Sequence, residues 1–143
     1  MGYRRLFIMR KDLNMSAGKL AAQVAHCAEE YWLHMFRNNA HNFDNKTKEA
    51  VCYVDNNVFD EYINGDIVKT ICEAKNKTQL LKAKTMAEEL GFIENVDFGL
   101  IYDKCYTELQ SEEPDGTTLT GIWFKPMEDG IAHQISKKYH LYV

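Results

Sequence analysis

The sequence predicts an α/β fold, with a single three-layer α/β/α domain and a mixed, mostly parallel sheet of roughly four strands. Three observations support this class. Apolar runs typical of buried strands alternate with helix-forming segments, turn residues separate the two kinds of segment, and 45% of the 143 residues are hydrophobic. A chain of this size buries a core of its own, so residues 1–143 are expected to form one domain, with a helical or loop insertion near 36–66.

The first strand and the first helix are the clearest elements. The continuous apolar run Leu6–Met9 is typical of a central strand that is buried on both faces. Ser16 fits the N-cap of a helix from about Ala17 to Met35, because this segment is rich in alanine and has no proline. One arc of this helix is apolar and is expected to pack on the sheet. Four polar side chains share another arc: Lys19, Gln23, His26 and Glu30.

The alternation of strands and helices continues to the end of the chain. Apolar residues recur at helical spacing between Val51 and Tyr62, which predicts a second helix that ends before Gly65. The remaining predicted elements are a strand at Ile67–Cys72, a helix at about Lys77–Leu90 between Asn76 and Gly91, strands at Phe98–Tyr102 and Leu119–Phe124, and a helix from Pro126 to about Tyr139. Ligands of such folds bind beyond the carboxyl ends of parallel strands, which directs attention to the loops that begin at Arg10 and Asp103.

Charge and cysteine content exclude several classes of protein. The 17 basic and 21 acidic side chains give a formal charge of −4, so a nucleic-acid partner would need a local basic patch. Eight basic residues are candidates for such a patch or for solvated helix faces: Arg4, Arg5, Lys75, Lys77, Lys82, Lys84, Lys137 and Lys138. The four cysteines form no C-x-x-C pair, which is typical of reduced thiols, and no apolar run has the length of a membrane span. We therefore expect a cytoplasmic protein.

Lys19 and Asp103 are candidates for chemistry, and each also has a simpler explanation. Lys19 stands in the first turn of a helix, where free N–H groups and the helix dipole attract an anion, but an ordinary solvated lysine also fits. A Walker A motif is excluded, because Leu13 and Leu20 occupy positions that need Gly and Ser or Thr. Asp103 closes an apolar strand, where a carboxylate serves as a general base or simply begins a turn.

Its spacing alone favours a structural role for His26, as a histidine that is packed under a loop and hydrogen-bonded to backbone. No other His, Cys or carboxylate stands near it at metal-ligand spacing, since His34 is eight positions further along, so we predict no metal. A Ser–His–Asp nucleophilic triad has no support, because the only early serine is the predicted helix cap Ser16.

Two segments carry a resemblance to a known family. From Ile8 to Ala28 the sequence closely resembles the type 2 peptidyl-tRNA hydrolases, in which the string R-x-D-L-x-M-x-x-G-K-x-A-A-Q-x-x-H-A joins the first strand to the first helix. The second half is similar to the same family in the order and approximate spacing of Ala83, Ala87, Leu90, Gly91, Asp103, Thr107, Pro114, Gly116, Thr118, Gly121 and Ile122. The resemblance leaves out residues from about 36 to 58.

This resemblance implies an α/β hydrolase, typically a homodimer, that cleaves the ester between a peptide and the ribose of tRNA without a metal or cofactor. It implies catalytic roles for Lys19, Asp103 and Thr107. Asp103 would hold and partly deprotonate water with the Thr107 hydroxyl as a relay, and Lys19 would stabilise the oxyanion or hold a phosphate of the tRNA acceptor end. It also implies substrate-binding roles around the cleft for Gly18, Gln23, His26, Gly116 and Thr118.

The sequence also departs from that family's pattern, which leaves a second function open. In the loop after the aspartate, Cys105 replaces a glycine and Glu108 replaces an amide, so we expect a reshaped turn and an added negative charge near the ester or phosphate. Trp123 stands where a Gly-Ile-Gly-Pro turn is usual, either to stack on a base or, as we favour, to pack in the core or at a dimer interface. The alternative function is a noncatalytic or repurposed relative that binds an RNA end or a protein partner.

Overall fold

Six strands form the main sheet in the computed structural model of the chain, which describes residues 2–143. The helices and strands are, in chain order, β1 (Tyr3–Arg10), α1 (Ala17–Asn39), β2 (Ala40–Asn42), β3 (Lys48–Ala50), β4 (Val68–Ala74), α2 (Lys77–Glu89), β5 (Phe98–Asp103), β6 (Thr118–Phe124), β7 (Met127–Glu128), α3 (Asp129–Ser136) and β8 (His140–Leu141). A short π-helical segment, Val58–Ile63, precedes β4.

The main sheet has the strand order β5-β6-β1-β4-β8, and β7 pairs with the start of β1. β1 and β4 are parallel neighbours, whereas β6 lies between β5 and β1 and runs antiparallel to both. Three of the four long strands, β1, β4 and β5, therefore point the same way. The α/β class and the mixed sheet are confirmed. The sheet nevertheless has six strands instead of about four, and β1 and β4 are its only parallel pair of strands within residues 2–143, because β6 separates β5 from β1.

The carboxyl ends of β1, β4 and β5 lie at one edge of this sheet. They are Arg10, Ala74 and Asp103. α1 begins beyond the same edge and runs back along the sheet, in contact with β1, β5 and β6. The two loops that the sequence analysis singled out therefore meet there, as expected for strands of common direction.

Helices cover both faces of the sheet, which gives the three layers that the sequence predicts. α1 packs on one face, where Cys27 shares a buried cluster with Phe7 and Met9 of β1. α2 and α3 cover the other face, where they enclose Leu6 and Ile8. The four consecutive β1 side chains from Leu6 to Met9 are fully buried and alternate between the two clusters. The prediction of a central strand buried on both faces is confirmed.

The N-terminus of α1 is capped as predicted. The Ser16 hydroxyl accepts a hydrogen bond from the N–H of Lys19 at 3.2 Å. The helix continues to Asn39, four residues beyond the predicted end at Met35, and the Asn39 side chain donates to the Met35 carbonyl oxygen at 2.7 Å. A carbonyl of the last turn is thus satisfied by a side chain. Gly91 follows α2 with a φ of 83°, the left-handed C′ conformation that the sequence predicts.

Segment 36–66 differs from the prediction. Residues 40–50 form the β2–β3 hairpin, and in place of a helix over residues 51–62 the chain forms an irregular stretch followed by the short π-helical segment. Val58 and Tyr62 are buried at helical spacing, which explains the helix signal. Before them, the Asp55 side chain accepts from the backbone N–H two residues further along at 2.8 Å. Such a local bond stabilises a turn and competes with a continuous helix.

The last helix is shorter than predicted. Met127 and Glu128 pair with the start of β1, so α3 begins at Asp129 instead of Pro126. It ends before Tyr139, which is buried against α2 and whose hydroxyl donates to a carbonyl oxygen of that helix at 2.7 Å. A proline start signal was outweighed here by strand pairing. Among residues 2–143, no helix is long and apolar enough to span a membrane.

Trp123 lies in the core, as favoured from the sequence. Its side chain is 1% exposed, and its ring centroid is 6.1 Å from that of Tyr31 and 6.0 Å from that of His34. Gly99 pairs with it across β5 and β6, and a Cβ added to Gly99 would lie 2.6 Å from the indole. The glycine is therefore required by the tryptophan. An indole packed in this way has no open face for a base.

Candidate active site

The ammonium of Lys19 and the carboxylate of Asp103 meet at the carboxyl edge of the sheet, with Nζ and Oδ1 2.9 Å apart. The first turn of α1 supplies the lysine, and the last residue of β5 supplies the aspartate. Their side chains are 14% and 11% exposed, so the pair is partly shielded from water. Shielding lowers the effective dielectric constant and strengthens charge interactions with a ligand. Lys19 is therefore not an ordinary solvated lysine, and Asp103 does more than begin a turn.

The Asp103 carboxylate is held by three donors. Oδ1 accepts from Lys19 Nζ and, at 3.3 Å, from the Gln23 side-chain amide, while Oδ2 accepts from the backbone N–H of Cys105 at 3.0 Å. A carboxylate offers about four acceptor positions. Oδ1 is thus filled, and one position on Oδ2 has no partner among residues 2–143. A carboxylate fixed in this way can orient a water molecule through its remaining position.

Gln23 lies behind this carboxylate and is 1% exposed. Its amide nitrogen faces Asp103, and its amide oxygen accepts from the Thr120 hydroxyl at 2.7 Å. Contacts at both ends fix which end of the amide meets the carboxylate. From the sequence, Gln23 was expected among the substrate-binding residues. In the structure it instead positions Asp103, because no part of its side chain reaches the open side of the site.

Thr120 belongs to this network and was missed from the sequence. The register of β5 and β6 shifts between Ile101 and Tyr102, which leaves Thr120 as the extra residue of a β-bulge. In a regular strand Thr120 would share the face of Ile122, which packs under α2 and α3. The bulge turns its hydroxyl to the α1 face instead, where it reaches Gln23. The only sequence signal is a threonine inside an apolar run, and that does not reveal a bulge.

The loop after Asp103 contains two residues in the left-handed conformation. Cys105 has a φ of 60° and Glu108 a φ of 67°. An L-residue other than glycine adopts this conformation at a cost of roughly 1–2 kcal/mol. Cys105 therefore has a backbone conformation that glycine adopts readily, and the expectation of a reshaped turn stays a prediction.

Glu108 ties this loop to the start of α1. Its carboxylate accepts from the N–H of Ser16 and from the Ser16 hydroxyl, both at 2.7 Å. These two bonds, with a weaker contribution from the charge of Lys19, hold the pKa of Glu108 below its ordinary value despite repulsion from Asp103. The extra negative charge expected near the ester is therefore present and is paired with the helix N-cap.

Arg10 links the loop between β1 and α1 to the loop between β5 and β6. It ends β1, is 3% exposed, and donates to Asp12 at 2.8 Å, to Glu112 and to the carbonyl oxygen of Leu119 at 3.1 Å. Burial opposes the charged form, but the hydrogen bonds to the two carboxylates outweigh it and raise the pKa of Arg10. The loop before α1 and the loop before β6 therefore share one buried cation.

A cavity of about 490 Å³ opens beside Asp103. His26 and Glu30 of α1, residues 100–103 of β5, Lys104 and Tyr106 line it. His26 is exposed and makes no hydrogen bond to another described residue, so its interpretation as a packed, backbone-bonded histidine is wrong. The side chain of Tyr106 is 86% exposed at the rim. The cavity therefore has the size of a ligand site and adjoins the fixed carboxylate.

The two predicted threonines have different positions. Thr107 is exposed, and its hydroxyl makes no hydrogen bond to another described residue. Thr118 is fully buried, where its hydroxyl donates to the Gln110 carbonyl oxygen at 2.7 Å and accepts from the N–H of Glu112 at 3.0 Å. Thr118 thus holds the end of the loop in place and does not face the cavity.

The two predicted glycines are both exposed. A Cβ on Gly18 would meet no atom within 4 Å, so packing does not demand glycine in the first turn of α1. Gly116 has a φ of 88° and donates to the Glu113 carbonyl oxygen at 3.0 Å, so a tight turn before β6 requires it. Neither glycine contacts the ion pair.

A slightly larger cavity, of about 530 Å³, lies at the opposite edge of the sheet. The end of α1, segment 53–58 and residues that flank β5 and β6 line it, and its one cation, Lys125, is paired with Asp97 at 3.0 Å. We place the candidate site at Asp103 because a fixed carboxylate with an open acceptor position lies beside a shielded ammonium there. Among residues 2–143, no three His, Cys, Asp or Glu side chains are grouped so as to hold a metal ion.

The basic patch considered from the sequence is not formed as a unit. Arg5 is fully buried and donates to three backbone carbonyl oxygens. Arg4, Lys77 and Lys84 are paired with carboxylates. Four exposed lysines of the set remain: Lys75, Lys82, Lys137 and Lys138. Of these, Lys75 directly follows Ala74 at the carboxyl edge of the sheet, where the exposed Lys104 directly follows Asp103, so these two lysines are the candidates for contact with a polyanion at that edge.

This arrangement is suited to hydrolysis. Asp103 can orient and deprotonate water, and Lys19 has further N–H donors without an acceptor among residues 2–143 that can stabilise a developing oxyanion. Donors of the latter kind contribute roughly 3–4 kcal/mol to transition-state stabilisation. Both groups stand on regular elements, which keeps their geometry constant.

Comparisons with known proteins agree on one family. The model of the family described as Peptidyl-tRNA hydrolase PTH2 matches residues 3–142. A peptidyl-tRNA hydrolase of Thermoplasma acidophilum is 27% identical over 138 residues, which cover 96% of this chain and 97% of the relative. That of Thermoplasma volcanium is 30% identical over 133 residues, or 93% and 92%. That of Methanopyrus kandleri is 30% identical over 120 residues, or 84% and 83%.

Proposed function

The chain belongs to the peptidyl-tRNA hydrolase PTH2 family, and we propose that it hydrolyses the ester bond between a peptide, or an N-blocked amino acid, and tRNA, releasing free tRNA. The contact between Lys19 and Asp103 carries this proposal. Lys19 Nζ and Asp103 Oδ1 are 2.9 Å apart beside a cavity that is open to solvent, which supports a role for Asp103 as general base and for Lys19 as oxyanion donor.

The proposed reaction uses water and the side chains of this site. A water on Asp103 Oδ2 attacks the ester carbonyl carbon while the carboxylate accepts its proton. Lys19 stabilises the negative oxygen of the tetrahedral intermediate, which collapses with loss of the ribose oxygen, and that oxygen takes up the proton. Thr107 is the weakest member of the proposed catalytic set, because its hydroxyl has no hydrogen bond to another described residue.

The second candidate function is a noncatalytic relative that binds an RNA end or a protein. The position of Glu108 favours the protein partner within this alternative, because this carboxylate occupies the N–H of the α1 N-cap that would otherwise attract a phosphate of an RNA end. Binding of tRNA through phosphates falls steeply as salt rises, whereas binding of a protein through apolar contacts does not. Turnover of the ester would exclude a purely binding role.

Several broader properties belong to the same proposal. Residues 1–143 act as one cytoplasmic domain that binds the acceptor end of peptidyl-tRNA, with His26, Gly18 and Gly116 near the substrate. We also propose a homodimer, since five large apolar side chains between residues 36 and 59 are 48–89% exposed: Phe36, Phe43, Val51, Tyr53 and Phe59. Sedimentation at micromolar concentration tests the oligomeric state, and a monomer would contradict it.

The decisive experiment measures release of labelled N-acetyl-amino acid from N-acetyl-aminoacyl-tRNA. We expect turnover by the native protein and a loss of at least a hundredfold in Lys19→Ala, because the oxyanion donor is removed. Lys46→Ala is the matched control, since it removes one exposed lysine that follows the C-terminal end of α1 and belongs to none of the candidate sets. A folded native protein without turnover would contradict the hydrolase and favour the binding function.

A further inference from the structure

β5 is the outermost strand on its side of the main sheet, and part of its outer edge is open. The carbonyl oxygens of Asp97 and Ile101 face inward, because they accept from groups on or next to β6. The carbonyl oxygen of Phe98 faces outward, where it accepts from the N–H of Asn95 at 2.6 Å. The backbone groups of β5 therefore alternate between the two sides, as in any extended strand.

Leu100 and Tyr102 follow Phe98 in steps of two, so their N–H and C=O groups also point outward. Neither residue has an outward backbone partner among residues 2–143. The open stretch consists of the three residues 100–102, spans about 10 Å and leads to Asp103. The same stretch lines the 490 Å³ cavity. An unpaired strand edge thus leads directly to the proposed catalytic carboxylate.

We propose that this edge binds the peptide portion of the substrate as an added parallel strand. The inference rests on the proposed hydrolase function. The ester carbonyl is the C-terminal end of the peptide and must lie at Asp103, so the rest of the peptide extends back along β5 toward Phe98. Peptide and strand then run in the same direction. One peptide residue lies between Leu100 and Tyr102, donates its N–H to the Leu100 carbonyl oxygen and accepts from the Tyr102 N–H.

The chemistry of the substrate favours this mode of binding. Peptides on tRNA differ in every side chain and share only their main chain, which pairing with a strand edge recognises. The outer edge of β5 already carries one parallel bridge, between Glu94 and Phe98. This bridge limits the open stretch to about three residues, beyond which the peptide leaves the edge. His26 and Tyr106 line the cavity beside the edge and leave room for peptide side chains.

The test uses substrates with a blocked backbone N–H. The parent compound is N-acetyl-trialanyl-tRNA, and two variants carry one N-methyl group, on the first or on the middle alanine. The esterified alanine is left unchanged, because methylation there would alter the ester itself. Only one of the two N–H groups faces β5, so each variant is the control for the other. We expect one to raise KM about tenfold with little change in kcat, and the other to raise it less than twofold.

The outcomes separate this inference from the function on which it rests. Hydrolysis of all three substrates with equal KM would overturn the strand pairing and leave the hydrolase function intact. Equal increases in KM for both methylated substrates would also overturn it, because alternation is lost. If the protein hydrolyses none of these three substrates and also does not hydrolyse N-acetyl-alanyl-tRNA, the proposed function and the inference are both overturned.

Variants of the chain test the same contact from the other side. Tyr102→Pro removes the outward N–H without loss of a bond to β6, and prolines are tolerated on strand edges for this reason. Tyr102→Ala removes the side chain and keeps the N–H. We expect the KM of N-acetyl-trialanyl-tRNA to rise about tenfold in the proline variant and less than threefold in the alanine variant. Equal values in the two variants would contradict the main-chain contact, and the methylated substrates decide the matter if the proline variant does not fold.

Discussion

The two chain segments that meet at the candidate site are held in different ways. Lys19 and Gln23 stand on α1, whose N-terminus is capped and whose inner face is packed on the sheet. The loop at residues 104–117 has no strand or helix of its own and is held by side chains, chiefly Glu108 on Ser16 and Glu112 on Arg10. The groups proposed for chemistry therefore belong to the rigid part, and the loop that shapes their surroundings is fastened at a few points. Changes in the first should abolish chemistry, whereas changes in the second should alter stability and pH dependence.

The largest effect is expected from the rigid side. Asp103→Asn keeps the size of the side chain and removes the base, so we expect kcat to fall between about a hundredfold and ten-thousandfold. Circular dichroism should show an unchanged fold, because the asparagine oxygen can still accept from Lys19 and Gln23. Hydrolysis of N-acetyl-aminoacyl-tRNA is the measurement. Unchanged turnover in a folded variant would remove Asp103 from the mechanism.

A smaller effect, on stability, is expected from Thr120, the bulged residue of β6, because its hydroxyl bonds Gln23 of α1. Thr120→Val is close in shape and removes the hydroxyl that donates to Gln23, which leaves a buried amide oxygen without a partner. We expect a loss of about 1–3 kcal/mol in the free energy of unfolding, measured in urea. Thr78→Val serves as the matched control, because Thr78 is exposed on α2 and its hydroxyl bonds no other described residue, and it should change stability by less than about 0.5 kcal/mol. Equal effects of the two substitutions would contradict the network.

A smaller effect is expected from the loop. Cys105→Gly relieves the left-handed conformation but increases the entropy of the unfolded chain, so we expect a net gain of up to about 1 kcal/mol in the free energy of unfolding. Chemical denaturation of both proteins under reducing conditions measures it. A clear loss of stability would mean that the Cys105 side chain contributes more packing than its φ of 60° costs.

The smallest effect concerns the pH dependence of the loop. The folded pKa of Glu108 lies below its ordinary value of 4.5, so the contact with Ser16 stabilises the folded state above that value and is lost as pH falls through the folded pKa. Between about pH 5 and pH 3, the melting temperature of Glu108→Gln should therefore fall less than the melting temperature of the native protein. Glu89→Gln is a control for lost charge, because Glu89 is exposed and has no ion pair with another described residue. Identical melting curves for native protein and Glu108→Gln would show that the contact is absent in solution.

The parts of the fold that were predicted correctly are those in which local signals and packing agree. Leu6–Met9 is apolar throughout and is a central strand, and Ser16 and Gly91 end helices through their own side chain or backbone. Segment 36–66 was predicted poorly, because Val58 and Tyr62 gave a helical period to a stretch that turns at Asp55.

For the site, the residue types were readable and their arrangement was only partly so. The common direction of β1 and β5 brought Lys19 to Asp103 as expected. His26 was judged from spacing alone, and its exposure depends on where α1 passes the edge of β5. Thr120 depends on one extra residue in a strand, which reverses the face of every side chain before it, and no periodic pattern shows that.

The packing of Trp123 gives the molecule a built-in spectroscopic reporter. The chain has two tryptophans, and the other, Trp32, lies on α1 with Tyr31 between the two rings. A buried indole emits at shorter wavelengths than a hydrated one, and Trp123 stands three residues from the bulge that orients Gln23. In a Trp32→Phe background its emission would follow the docking of α1 on β6 directly. Substrate binding that shifts this helix would then be visible in real time without any attached label.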